Sequence, residues 1–239
     1  EDIVEVVRRP LFALFLAALL SALGPTAVLA TVDEADDVCP ASEDPCIIDS
    51  KITVANGTTL DFGLREVEIT SSGRVSLEGG QLTVLCGGLS ATGGQKIAFK
   101  LNGSDNGGFL TIKARRGCSD SSSTACLIDA DCGDSATCSV GTGSVSIGGK
   151  VVGQHAYPGS LTIQAVDDIS ITRAVNLSGN DPDSDGGEVY LRTEVGSVSI
   201  SGDLDLTSGG DSTGGSLGVI AGQDFTLTGE FDARGGDFD

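Results

Sequence analysis

Three aspartates occupy alternate positions, Asp181, Asp183 and Asp185, directly ahead of Gly186. Alternating carboxylates can converge on one hard cation while glycine allows the sharp bend, which is the first half of a calcium-loop pattern. The twelfth position of such a loop is Arg192, not a bidentate glutamate, so an EF-hand is excluded. Two readings stay open: a weak extracellular calcium site, or a solvated acidic turn. Asp129, Asp131 and Asp134 pose the same question in a second stretch. All seven cysteines lie beyond residue 30. Cys118, Cys126, Cys132 and Cys138 follow spacings of 8, 6 and 6, without the paired C-x₂-C knuckles that zinc sites favour. Two disulfides are expected among these four, with three connectivities open. Cys39 and Cys46 are expected to pair with each other. Cys86, in phase with Leu82 and Val84, is expected to be a buried inward thiol.

Groups for catalysis are few. His155 is the only histidine, and beside Gln154, Tyr157 and Pro158-Gly159 it reads as a loop residue, not a general base. No G-x-S-x-G elbow, H-E-x-x-H helix or phosphate-binding loop occurs. Acidic residues are plentiful enough to leave a pair of carboxylates for glycoside hydrolysis open. Asn56, Asn102 and Asn176 stand in glycosylation sequons, and Asn-Gly at the first two is equally explained as turn chemistry.

The elements that must position these groups form a repeat. Gly159-Ser160-Leu161-Thr162-Ile163-Gln164-Ala165 is echoed 28 residues later at Gly187-Glu188-Val189-Tyr190-Leu191-Arg192-Thr193, and 28 after that from Gly215 to Ala221. Each unit continues with a second alternating run, such as Asp168-Ile169-Ser170-Ile171, and a third, such as Val175-Asn176-Leu177. Alternation gives each short strand one buried and one wet face, and a fixed period marks a stacked architecture. The expectation is a β-solenoid in which Leu161, Val189 and Leu217 form one interior column about 4.8 Å apart. Earlier runs, from Ile52-Thr53-Val54 to Leu82-Thr83-Val84, alternate in the same way. From Gly108 to Gly159 the separation is 51 residues, which predicts a Cys-rich loop insertion at 115–140.

The N-terminus has Arg8-Arg9, an apolar run from Leu11 to Leu20 and the ending Ala27-Val28-Leu29-Ala30. This is the pattern of a signal peptide over 1–30, implying export to the cell surface or medium and no membrane insertion of the mature chain. Residues 31–50 read as an acidic lead-in or cap, and 51–239 as the solenoid of about six coils. The end at Arg234-Gly235-Gly236, where a new coil would begin, reads as part of a longer product. The net charge of −20 repels phosphate backbones and anionic lipid, so nucleic acid is not an expected partner.

The pattern G-S-L-x-h-x-A-x-x-D-h-x-h-x-G-x-h-x-h-x-G-G resembles the right-handed parallel β-helix of bacterial secreted and surface proteins, the group of filamentous-haemagglutinin-like adhesins and the pectin-lyase-like superfamily. The resemblance implies an all-β right-handed parallel β-helix, and either a non-catalytic adhesin-like scaffold without cofactors or a carbohydrate-active enzyme. The implied partner is a surface ligand, carbohydrate or protein.

Overall fold

In the computed structural model, residues 31–77, 79–101, 107–132, 136–154 and 159–236 are described. The leader over 1–30, Asn102, Asp134, His155 and Tyr157 lie outside them.

The chain is all-β with three parallel sheets. Sheet 1 has eight strands, sheet 2 six and sheet 3 seven. From Lys51 onward the chain visits them in constant order: Lys51–Val54 in sheet 1, Thr58–Asp61 in sheet 2, Glu66–Ile69 in sheet 3, then Arg74–Leu77 in sheet 1 again. Six such rounds lead to Phe231–Asp232. Every contact between rounds is a parallel pairing, as a β-solenoid requires.

Alternation sets the faces. In Ser160–Ala165 the residues Leu161, Ile163 and Ala165 are buried while Ser160, Thr162 and Gln164 are half-exposed. Register then stacks like on like: Leu161 pairs with Val189, and Val189 with Leu217. Across the interior, Ile112, Ile163, Leu191, Ile147, Ile171, Ile200 and Val151 join one apolar core. Each fully buried aliphatic side chain contributes roughly 1.5 to 3 kcal/mol.

The glycine that opens each repeat is needed because successive rounds approach closely there. A Cβ on Gly187 would lie 2.4 Å from Leu177 Cβ and 3.0 Å from Gly159 O, and one on Gly215 would lie 2.1 Å from Gly187 O. The 28-residue offset holds for Ser160 to Glu188 to Ser216 but is not general. Glu66 pairs with Gly88 at an offset of 22, and Val175 with Leu204 at 29. Register belongs to the strands, whereas turn length is free to vary.

Residues 31–50 contribute strands as well as a cap. Thr31–Val32 pairs with Thr53 and Val54 on sheet 1, and Cys46–Ile48 pairs with Val67 to Ile69 on sheet 3. The Cys39–Cys46 disulfide closes the segment between them. Arg65 holds it down, donating from Nη1 to Pro40 O at 2.7 Å with its guanidinium over the Phe62 ring.

The insertion leaves the body after Phe109–Ala114 and returns before Val145–Ile147. It forms a small antiparallel sheet in which Arg116–Cys118 pairs with both Ser121–Cys126 and Cys138–Val140. Its disulfides are Cys118–Cys132 and Cys126–Cys138. Buried Cys118, Cys126, Cys138 and Val166 make a satellite core, and an Arg116–Asp167 ion pair ties the insertion to the body.

Candidate functional site

The outward faces carry hydroxyls in columns, because parallel register puts the same position of each round in line. On sheet 2, Thr59, Thr83, Thr111 and Thr162 stack in succession, followed by Tyr190. On sheet 3, Ser90, Ser146, Ser170, Ser199 and Thr226 do the same. Beside the latter stand Thr92, Thr172, Ser201 and Thr228, interrupted by Gly148 in the round after Thr92; their N–H groups donate to Ile69, Ile147, Ile171 and Ile200 of the preceding round at 2.8 to 2.9 Å.

Three acidic side chains serve at the corners between rounds. Asp168 Oδ1 accepts from Ser197 N at 2.8 Å, and Asp203 Oδ1 from Glu230 N at 3.1 Å. Each carboxylate thus caps an N–H of the following round. Asp185 does likewise: its Oδ1 accepts from Thr213 Oγ1 at 2.5 Å and from Thr213 N at 3.1 Å. The Thr213 hydroxyl, followed by its N–H, holds the Asp185 carboxyl below its ordinary value of 3.8. A depressed carboxylate contributes stability that is present above its unfolded pKa and lost as pH falls through the folded one. Asp185 therefore adds to acid sensitivity only below pH 3.8. The variant Thr213→Val should raise the Asp185 pKa toward that ordinary value. An NMR titration that finds Asp185 unchanged in the variant would refute this coupling.

The three aspartates of the proposed calcium loop are exposed and divided in use. Asp181 closes a turn through its backbone, its N–H donating to Ser184 Oγ at 3.2 Å and its carbonyl accepting from the same hydroxyl at 2.8 Å. Asp185 turns to the next round. Among the described residues, the set of three or more potential ligand atoms within 4.8 Å of one another is Cys118, Cys126 and Cys132. Those sulfurs are bonded in disulfides, and a metal ligand must be the thiolate. Asp131 Oδ2 accepts from Leu127 N at 2.8 Å, and Asp129 Oδ1 from Cys138 N at 2.7 Å. Both brace the insertion.

Cys86 is fully buried and unpaired by disulfide. It stacks under Ala114, which stacks under Ala165, a column of small side chains near the corner. Asn56 and Asn176 also have structural partners: Asn56 Oδ1 accepts from Gln81 N at 3.0 Å, and Asn176 Nδ2 donates to Asp205 Oδ2 at 2.8 Å. What this surface offers is a repetitive, hydroxyl-rich exterior with acidic caps at some corners over an apolar core. Comparison with family models, with curated proteins and with solved structures gives no match to this chain.

Proposed function

We propose that the six rounds close into a right-handed parallel β-helix and that the protein is an exported, non-catalytic scaffold, adhesin-like or structural, at the cell surface. The observation that carries this reading is the pair of hydroxyl columns on sheets 2 and 3, each running through five successive strands. A face that repeats one side chain round after round suits lateral contact along a rod, whereas catalysis needs different groups converging on one point. Right-handed crossover is the general preference for parallel strands joined within a sheet. Three disulfides fit an oxidising compartment, as does the leader-like sequence over 1–30. Calcium at Asp181, Asp183 and Asp185 would be an accessory stiffening element of such a rod.

Expression of the whole chain in a bacterium, followed by fractionation and N-terminal mass analysis, tests the reading. The expected product lies outside the cytoplasm and begins at Thr31. Retention inside with residues 1–30 intact would overturn export. Shortening of a polysaccharide by the purified product would favour the carbohydrate-active alternative.

A further inference from the structure

The chain has 34 acidic and 14 basic residues, yet one outward strip carries no charge across five rounds. On sheet 3, Ser90, Ser146, Ser170, Ser199 and Thr226 stack in unshifted register. Two residues further along come Thr92, Gly148, Thr172, Ser201 and Thr228, one step past the end of each strand. Their N–H groups still donate to the preceding round, so the alternation continues and both columns share one face. All ten positions are exposed or half-exposed, and nine carry a hydroxyl. Between the columns Ala91, Ile147, Ile171 and Ile200 point inward and are buried, which backs the strip with core.

Thr92 Oγ1 donates to Ile69 O at 3.3 Å, and among the described residues the other eight hydroxyls have no protein partner. They form a grid with about 4.8 Å between rounds and roughly 6.6 Å between columns, about 19 Å long. Charge marks its borders. Glu68 stands in the round before Ser90, and Asp168 beside the grid turns its carboxylate to the corner, accepting from Ser197 N at 2.8 Å. Sheet 2 has no such grid. Next to its threonine column stand Asp61, Leu85, Lys113, Gln164 and Arg192.

We propose that this face of sheet 3 binds the surface of ice. Hexagonal ice repeats its oxygens at nearly the two spacings of the grid, so hydroxyls held in rows can occupy lattice positions together. A single hydroxyl that exchanges liquid water for ice gains little, because one hydrogen bond replaces another. Nine in register act as one multivalent contact, in which each attachment holds the next in place. Their order is set in advance by the strand ladder and the buried row beneath. A charged side chain would orient water around itself and interrupt the lattice, and none stands in the grid. A second copy of the chain is the poorer occupant, since it would bring another net charge of −20 against the first.

Ice binding rests on the exported-rod reading and gives its sheet 3 columns a partner, yet the two can fail separately. The test freezes a solution of the purified whole chain slowly onto a cold surface and compares protein in the melted ice with protein left in the liquid. The wild type should enter the ice and shape its crystals into facets. Thr172→Lys combined with Ser199→Lys holds the face off a flat surface, and should lower incorporation on the order of tenfold with unfolding unchanged. Thr162→Lys, in the sheet 2 column, should leave incorporation as it is. Should the double variant fail to fold, Thr172→Gln alone should give a several-fold loss. Exclusion of the folded wild type from the ice overturns the inference and leaves the scaffold reading standing. Undiminished incorporation of the folded sheet 3 variants, or an equal loss in Thr162→Lys, overturns it as well. A dimer in sedimentation that the double variant abolishes would assign the face to a second copy and overturn it too. Retention of the product in the cytoplasm would sink export alone, without touching incorporation of the purified chain into ice.

Discussion

Leu191→Asp is expected to abolish the cooperative unfolding transition, or to lower the stability by at least about 4 kcal/mol. Leu191 is fully buried and stacks between Ile163 and Val219 of the neighbouring rounds. An aspartate there would lose the apolar contact on both sides and place an unpaired carboxylate where neither water nor a cation can reach it. Because a domain of this kind is stable by only about 5 to 15 kcal/mol in total, the loss approaches the whole. Each round supports the next, so the damage should spread to the pairing of Ser160–Ala165 and Ser216–Ile220 and not remain local. Gln164→Ala, on the outward face of the preceding strand, should change stability by no more than about 0.5 kcal/mol. Thermal unfolding followed by circular dichroism checks both, and a Leu191→Asp protein that melts like the wild type would contradict the inward placement.

The Cys86 thiol should be unreactive in the folded protein and fully reactive once it unfolds. Burial, with the nearby Glu66 carboxylate adding to it, pushes its pKa from 9.0 up to about 12. Since the thiolate is the reactive form, its population at mildly alkaline pH falls on the order of a thousandfold. Steric closure under Ala114 slows attack further. Iodoacetamide labelling with mass analysis should therefore show no modified cysteine in the native state and one in guanidine, while an outward Ser90→Cys variant labels at once. Labelling of Cys86 at a comparable rate in both states would contradict the account. The same shift carries a pH signature. The raised pKa leaves the Cys86 contribution intact below pH 9.0 and removes it as pH rises from 9.0 toward 12.

The legible part of the fold was what depends on neighbours in the sequence. Alternation marked Leu161 and Ile163 as inward, and the Gly159, Gly187 and Gly215 series marked where rounds approach within van der Waals limits. The 28-residue period described the later rounds well. It overstated earlier ones such as Glu66 to Gly88, because pairing constrains strands and leaves turns free. The connectivity Cys118–Cys132 and Cys126–Cys138 was not legible, since it depends on how an antiparallel excursion folds back on itself. The same holds for the acidic residues. Asp185 belongs to a calcium-like string in sequence, yet its partner is Thr213 in the following round, a contact no local pattern announces.

The central claim is that successive rounds stack in parallel along one axis. Spin-label pairs on sheet 3, with Ser90→Cys as the fixed partner and Ser170→Cys, Ser199→Cys or Thr226→Cys as the second, measure it most directly when made in a Cys86→Ala background. The account predicts separations that grow in equal steps of about 4.8 Å from two rounds to three to four. A Ser90 to Thr226 separation no longer than that from Ser90 to Ser170 would mean that the chain folds back on itself, and the stacked arrangement would be wrong.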